Sequence, residues 1–129
     1  MAKVLVVEDD PDLRALLEAR LRQAGHRVAL AASADDALTL LVERGAPDVL
    51  VSDVMMPGLS GLELLAKIRT NPAWAQVPAI FLSSRVQAED IAAGQALGAA
   101  YLTKPVVIRA LCAAIDRAVQ ADVPAAGSW

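Results

Sequence analysis

The chain has 129 residues, of which 56% are apolar and only 3% aromatic, so its core must be built from Leu, Val, Ile and Ala. This length fits one domain with a core that needs no disulfide or metal. Fifteen acidic and 12 basic residues give a net charge of −3, too mild to indicate nucleic-acid binding. The single cysteine excludes an internal disulfide, and no apolar run is long enough to predict a membrane span.

The first part of the chain alternates a short apolar run with a helical pattern. Val4–Val7 is a continuous aliphatic run, typical of a strand buried on both faces. Asp10 before Pro11 predicts a helix N-cap followed by proline at the first helical position. Gly25 ends that helix, and Arg27–Ala31 is a weaker second strand.

The same alternation continues through the middle of the chain. Ser33 predicts the cap of a second helix, which Gly45 ends. Asp48–Ser52 predicts a third strand, and Asp53 follows it directly. After a loop, a third helix with leucines at helical spacing ends near Asn71.

The last part of the chain adds two more strands and two more helices. Pro78–Ser83 and Tyr101–Thr103 predict the fourth and fifth strands. An Ala-rich helix over Ala88–Leu97 lies between them, and a last helix runs from Val107 to Ala121.

Five strand–helix units in succession predict an α/β fold, a (βα)5 doubly wound protein with helices on both faces of a five-stranded parallel sheet. The expected strand order is the flavodoxin-like 2-1-3-4-5. We expect one domain over residues 1–121 and a short flexible tail over 122–129.

Polar residues follow four of the five predicted strands. Glu8 and Asp9 follow the first strand, and Asp53 follows the third. Ser83 ends the fourth strand, and Lys104 follows the fifth. Neighbouring strands lie about 4.8 Å apart, so these side chains converge at the carboxyl edge of the sheet. The carboxylates would repel one another, and an all-oxygen site favours Mg²⁺ or Mn²⁺ over zinc or copper.

The chain resembles the receiver domain of two-component response regulators from about Lys3 to Val119. Each matching segment stands at a predicted strand end, and together in this order they are specific. The segments are Val6–Asp10, Ser52–Gly58 with Gly61–Leu65, Leu82–Ser84 and Tyr101–Pro105.

The resemblance implies that Asp53 is the phosphoacceptor. It implies that Glu8 and Asp9 hold the metal, which Asp53 and the backbone carbonyl of Met55 also ligate. Nucleophilic attack on phosphorus would occur in line with the leaving group.

The resemblance also implies roles for residues of the last two strands. Ser83 would hydrogen-bond the phosphoryl group, and Lys104 would pair with a phosphoryl oxygen. Tyr101 would be an aromatic switch that turns inward after Ser83 moves. The peptide before Pro105 is expected to be cis. The chain departs from the family by having Val106 where Phe is usual.

The implied partners are a sensor histidine kinase or histidine phosphotransfer protein, and a downstream effector protein bound by the fourth helix, fifth strand and fifth helix. We expect a cytoplasmic signalling switch rather than an enzyme, a monomer or a weak phosphorylation-dependent dimer, with no direct contact to nucleic acid or membrane.

Two alternatives stay open at the level of sequence. One is a receiver-like protein-binding module that signals without phosphorylation; the segment from Gly98 to Tyr101, one residue shorter than usual, favours it. The other is a Mg²⁺-dependent phosphohydrolase. Such enzymes typically place a second acid two residues after the nucleophile, where this chain has Met55.

Five polar, sulfur or aromatic side chains are expected to have structural roles only. Asp10 is a helix cap, and Asp48 a solvated residue at the entry to a strand. His26 is expected to be exposed in a turn, Cys112 to be buried, and Trp74 to pack locally.

Overall fold

The computed structural model describes residues 1–84 and 88–120. The strands are β1 Lys3–Val7, β2 Arg27–Ala31, β3 Val49–Asp53, β4 Ala79–Ser83 and β5 Ala99–Thr103. The helices are α1 Pro11–Gln23, α2 Ala34–Arg44, α3 Gly61–Thr70, α4 Ala88–Ala96 and α5 Ile108–Gln120. The strands form one parallel sheet in the order β2-β1-β3-β4-β5, which confirms the predicted fold class and strand order.

Two helix layers enclose the sheet because alternate strand residues point to opposite faces. On one face, Leu5 and Val7 of β1 belong to a core with residues of α2 and α3. On the other face, Val4 and Val6 pack with residues of α1 and α5. All five residues of β3 are buried, so the middle of the sheet is covered on both sides. The continuous aliphatic runs in the sequence follow from this double coverage.

Side-chain caps begin three of the helices. Asp10 caps α1 as predicted, and the Ser33 hydroxyl accepts the N–H of Asp36 at the start of α2. At α3, Ser60 and Glu63 form a reciprocal capping box with two hydrogen bonds of 3.1 Å. The box satisfies two helix N–H groups and sets where α3 begins, which positions the loop before it.

Some element boundaries differ from the prediction. Asp53 is the last residue of β3 rather than the first residue after it. β5 begins at Ala99, two residues before the predicted start, because Gly98 with a φ of 82° turns the chain directly from α4 into the strand. The tail over 122–129 lies outside the described residues, and the predicted domain boundaries stay predictions. No helix within the described ranges is long and apolar enough to cross a membrane.

Two residues expected to be exposed each accept an N–H group at or just before the start of β1. His26 is half-buried, and its Nδ1 accepts the N–H of Ala2 at 3.1 Å. Asp48 Oδ2 accepts the N–H of Lys3 at 2.8 Å. Neither residue is fully exposed, because the N–H groups at the start of a strand need acceptors that the ladder does not supply. Asp48 does stand at the entry to a strand, as predicted, since β3 begins at the next residue. Cys112, expected to be buried, is only partly covered.

The contact of His26 predicts a pH dependence of stability. Burial lowers the pKa of His26, Asp116 opposes that shift, and a protonated imidazole cannot accept the N–H of Ala2. Because the pKa of His26 is lower in the folded chain, the contribution of neutral His26 to the free energy of unfolding is complete above about pH 6.5. This contribution is lost as the pH falls through the pKa of the folded state.

We therefore expect the NMR titration of this histidine, the only one in the chain, to have its midpoint below that of a free imidazole. The free energy of unfolding should fall more steeply on acidification below pH 6.5 in the native chain than in His26→Gln. A midpoint at or above the free value would contradict this prediction.

Candidate functional site

The carboxyl edge of the sheet collects the polar residues that the sequence places at strand ends. Glu8 and Asp9 follow β1, and Asp53 ends β3, the strand beside it. Ser83 ends β4, and Lys104 follows β5. The peptide between Lys104 and the next residue, Pro105, is cis, as the resemblance implied. Four adjacent parallel strands thus deliver their polar ends to one place.

Three carboxylates form a compact cluster at this edge. Each of Glu8, Asp9 and Asp53 offers one oxygen, and these oxygens all lie within 4.8 Å of one another. Glu8 is 1% exposed and Asp53 is 7% exposed, whereas Asp9 is open to solvent. Two unit charges at 4 Å repel by about 4 kcal/mol at an effective dielectric of 20. The cluster therefore needs positive charge.

Lys104 supplies one positive charge from the opposite side of the site. Its Nζ lies 3.0 Å from Glu8 Oε1 and 3.0 Å from Asp53 Oδ2. Burial alone lowers the pKa of Lys104, but the hydrogen bonds to Asp53 and Glu8 outweigh it, and the pKa is raised. The ammonium group therefore stays charged and bridges carboxylates from two different strands.

Burial disfavours the ionised form of the Glu8 carboxylate. Burial raises its pKa and the negative charge of Asp53 adds to the rise, while the N–H of Asp10 and the ammonium of Lys104 oppose it. The N–H of Asp10 donates to Glu8 Oε2 at 3.1 Å. Two donors therefore hold the two oxygens of this buried carboxylate in place.

Arg14 of α1 fixes the loop that carries the acid pair. Its Nη1 donates to the carbonyl of Glu8 at 2.9 Å and lies 3.5 Å from the carbonyl of Asp9. The role of Arg14 could not be predicted from the sequence. The only signal was its place in the first helix after the cap, which does not show that its side chain turns back.

The loop after β3 is packed tightly against Asp53. The carboxylate Oδ1 of Asp53 accepts the N–H of Met55 at 3.3 Å, and Met55 is 68% exposed. The N–H of Gly61, the first residue of α3, donates to the carbonyl of Val54 at 2.9 Å. A Cβ on Gly61 would lie 3.1 Å from the carbonyl carbon of Asp53 and collide with its oxygen. Gly61 begins one of the segments that carry the resemblance, but its close approach to Asp53 could not be predicted from the sequence.

Ser83 and Tyr101 lie on the two strands beyond β3. Ser83 is buried, and its carbonyl accepts the N–H of Lys104 at 2.9 Å. Tyr101 is half-buried on β5, with its hydroxyl donating to the carbonyl of Asp90 in α4. This hydrogen bond places Tyr101 in contact with α4. The switch role predicted for Ser83 and Tyr101 stays a prediction, as does the metal contact of the Met55 carbonyl.

Comparison with known proteins agrees with this geometry. The family model described as the response regulator receiver domain matches residues 4–116. The chain therefore belongs to the family of response regulator receiver domains.

Relatives and solved structures support the assignment. The transcriptional regulatory protein AfsQ1 of Streptomyces coelicolor is 45% identical over 116 residues, covering 89% of this chain and 50% of that protein. An uncharacterised 14.6 kDa protein of Leptolyngbya boryana is 46% identical, covering 80% of this chain and 79% of that protein. The chain thus spans only half the length of AfsQ1. The chemotaxis protein CheY4 of Vibrio cholerae superposes with a TM-score of 0.83 at 32% identity, covering 92% of this chain and 98% of CheY4.

The donor set fits a hard divalent cation. It consists of carboxylate oxygens only, two of them from buried residues and one from an open residue, and the described residues contain no other such cluster. Mg²⁺ binds through a few carboxylates and keeps several waters, which suits a site with one open side. Nitrogen and sulfur ligands, which zinc and copper prefer, are missing from this cluster.

We predict that Mg²⁺ stabilises the chain through this cluster. At about 100 times its dissociation constant, a bound ion adds about 2.7 kcal/mol to the free energy of unfolding. Thermal unfolding with increasing Mg²⁺ should show this gain in the native chain, and Glu8→Gln should lose most of it. The matched control Glu43→Gln, at an exposed position of α2, should keep it. An equal gain in all three chains would contradict a site at Glu8.

Proposed function

We propose that this receiver domain accepts a phosphoryl group on Asp53 from a histidine kinase or a histidine phosphotransfer protein, with Mg²⁺ as cofactor. The observation that carries the proposal is the Lys104 ammonium bridging Asp53 and Glu8 within a cluster of three carboxylates. The ammonium lies beside Asp53, where it could pair with an oxygen of a phosphoryl group on that residue, and a bound Mg²⁺ would supply the further positive charge that the carboxylates require.

The reaction is a transfer between two protein side chains. A carboxylate oxygen of Asp53 attacks phosphorus, and a P–O bond forms as the P–N bond of the donor phosphohistidine breaks. The electron pair of that bond stays on the imidazole nitrogen of the donor, and the imidazole leaves in its neutral form with a proton taken from solvent. The product is an acyl phosphate with close to two negative charges.

The residues around Asp53 would bind the metal ion and stabilise the charge of the phosphoryl group. Glu8, Asp9 and Asp53, with the backbone carbonyl of Met55, would hold Mg²⁺, or Mn²⁺ in its place. A bound divalent cation neutralises charge on the phosphoryl oxygens. Lys104 pairs with a phosphoryl oxygen, which requires it to leave Asp53 Oδ2.

Signalling then passes to the surface. Ser83 hydrogen-bonds the phosphoryl group, and Tyr101 follows its movement. The changed surface is formed by α4, β5 and α5, and it binds a downstream effector protein. The domain is thus a cytoplasmic switch, acting as a monomer or a weak phosphorylation-dependent dimer, and it assists only its own phosphorylation and dephosphorylation.

Labelled phosphoryl transfer tests the proposal. Incubation with acetyl phosphate or a phosphorylated histidine kinase, with Mg²⁺, should label the native chain, and hydroxylamine should release the label, as expected of an acyl phosphate. Asp53→Asn should abolish labelling because an amide is not a competent nucleophile.

The control for this test is Asp12→Asn, which removes an exposed carboxylate from the first turn of α1. This variant should be labelled as fast as the native chain. Undiminished labelling of Asp53→Asn would refute Asp53 as the acceptor. An unlabelled native chain with every donor would favour the receiver-like module that signals without phosphorylation.

Met55 predicts a long-lived phosphoryl state. It stands two residues after Asp53, with an exposed thioether that orients an attacking water poorly. The same side chain disfavours a phosphohydrolase, which needs an acid there for turnover.

We expect Met55→Asn to shorten the lifetime of the acyl phosphate by on the order of tenfold or more, because an amide can position water. Met55→Leu, which stays apolar, should leave the lifetime unchanged. Decay of the isolated labelled chain measures both. Release within seconds from the native chain, unaffected by Met55→Asn, would contradict the prediction.

A further inference from the structure

Two aromatic rings connect the neighbourhood of Asp53 with α4. Phe81 of β4 and Tyr101 of β5 are the only phenylalanine and tyrosine in the chain. Their ring centroids lie 5.4 Å apart, with planes tilted by 44°. Phe81 is fully buried, and a Cβ on Gly61 would lie 3.0 Å from its ring. The ring pair therefore lies between the start of α3 and α4.

The Tyr101 ring rests on a glycine of α4. A Cβ built on Gly94 would lie 2.7 Å from Cε2 and 2.8 Å from Cζ of Tyr101, and would collide with the hydroxyl. Real Cβ atoms essentially never approach other atoms so closely. One turn earlier in the helix, the carbonyl of Asp90 accepts the tyrosine hydroxyl. The ring thus occupies the volume that any side chain at position 94 would need.

The C-terminal end of α4 is held separately. Nε of Arg69, near the end of α3, donates to the carbonyl of Leu97 at 2.8 Å. Lifting this end of α4 from the sheet would break that bond. A side chain at position 94 is therefore accommodated most readily by turning the Tyr101 ring away from the helix.

We propose that Gly94 is a positioning residue that sets where the Tyr101 ring rests against α4. Its lack of a side chain lets the ring lie against the helix and lets the hydroxyl reach the Asp90 carbonyl. The consequence for signalling, that Gly94 biases the surface of α4, β5 and α5 toward its resting form, rests on the proposed function. The contact itself does not.

The test is a double substitution that exchanges the residues at positions 93 and 94 of α4. The double variant Ala93→Gly with Gly94→Ala keeps the composition and helix propensity of α4, because Ala93 is an exposed neighbour on the same helix. Since Tyr101 is the only tyrosine, its ionisation is read by absorbance, and 3-fluorotyrosine gives a single ¹⁹F resonance.

Burial and the charge of Asp90 raise the pKa of Tyr101 in the native chain. In the double variant we expect the titration midpoint to fall toward that of a free phenol, about 10. The ¹⁹F resonance at neutral pH should shift with it. A midpoint and a resonance equal to those of the native chain would overturn the proposal.

Thermal unfolding gives a second, independent measurement. The double variant should lower the unfolding midpoint when Tyr101 is present. In the Tyr101→Leu background, which removes the ring, the same change should leave the midpoint unaltered. An equal loss in both backgrounds would overturn the proposal, because it would show that Gly94 matters to the helix and not to the ring.

Beryllofluoride with Mg²⁺ then tests the link to signalling. Without beryllofluoride, the ¹⁹F resonance of the double variant should differ from that of the native chain. The difference should have the same sign as the shift that the native chain shows on saturation with beryllofluoride. Movement in the opposite direction would refute the bias on the surface. A native chain that does not respond to beryllofluoride would refute the proposed function instead, while the titration and unfolding data would still decide the Gly94 contact.

Discussion

The site depends on one ammonium group held between two buried carboxylates that come from different strands. Lys104 reaches Glu8 and Asp53 at 3.0 Å each, across the carboxyl edge of the sheet. Buried charges of one sign cannot remain together without a counter-charge, and a buried pair that loses one partner is strongly destabilised. The bridge therefore explains how acidic residues can crowd a buried strand end. In the proposed reaction, a phosphoryl group on Asp53 would present its oxygens to the same ammonium.

Most of the fold and the centre of the site could be predicted from the sequence. Aliphatic runs alternate with helical periodicity, and a parallel sheet sends every strand end to one edge, so Glu8, Asp53 and Lys104 had to converge. Ring and backbone contacts across elements could not be predicted. Gly61 and Gly94 matter because of what lies against them, and a missing side chain leaves no periodic signal in the sequence.

Hydrogen bonds between side chains and the backbone account for the remaining differences from the prediction. Arg14 turns back to the loop before its own helix, and His26 and Asp48 accept N–H groups from the start of the first strand. Arg14 reaches carbonyls only six and five residues back, whereas His26 and Asp48 accept N–H groups 24 and 45 residues away along the chain. Such partners follow from the packed fold, because every buried N–H needs an acceptor. The start of β5 also differs from the prediction, because the positive φ of Gly98 lets the chain enter the strand at the next residue.

The complete burial of β3 has a consequence for how this protein could diverge. The central carboxylate takes its position from a strand that both layers of the core enclose, not from the loops around it. Loops and outer helix faces can accumulate substitutions without displacing the Asp53 carboxylate, because the buried sheet determines where this carboxylate lies. Recognition of different partners can therefore evolve on the outside of the molecule while the chemistry at its centre is inherited intact.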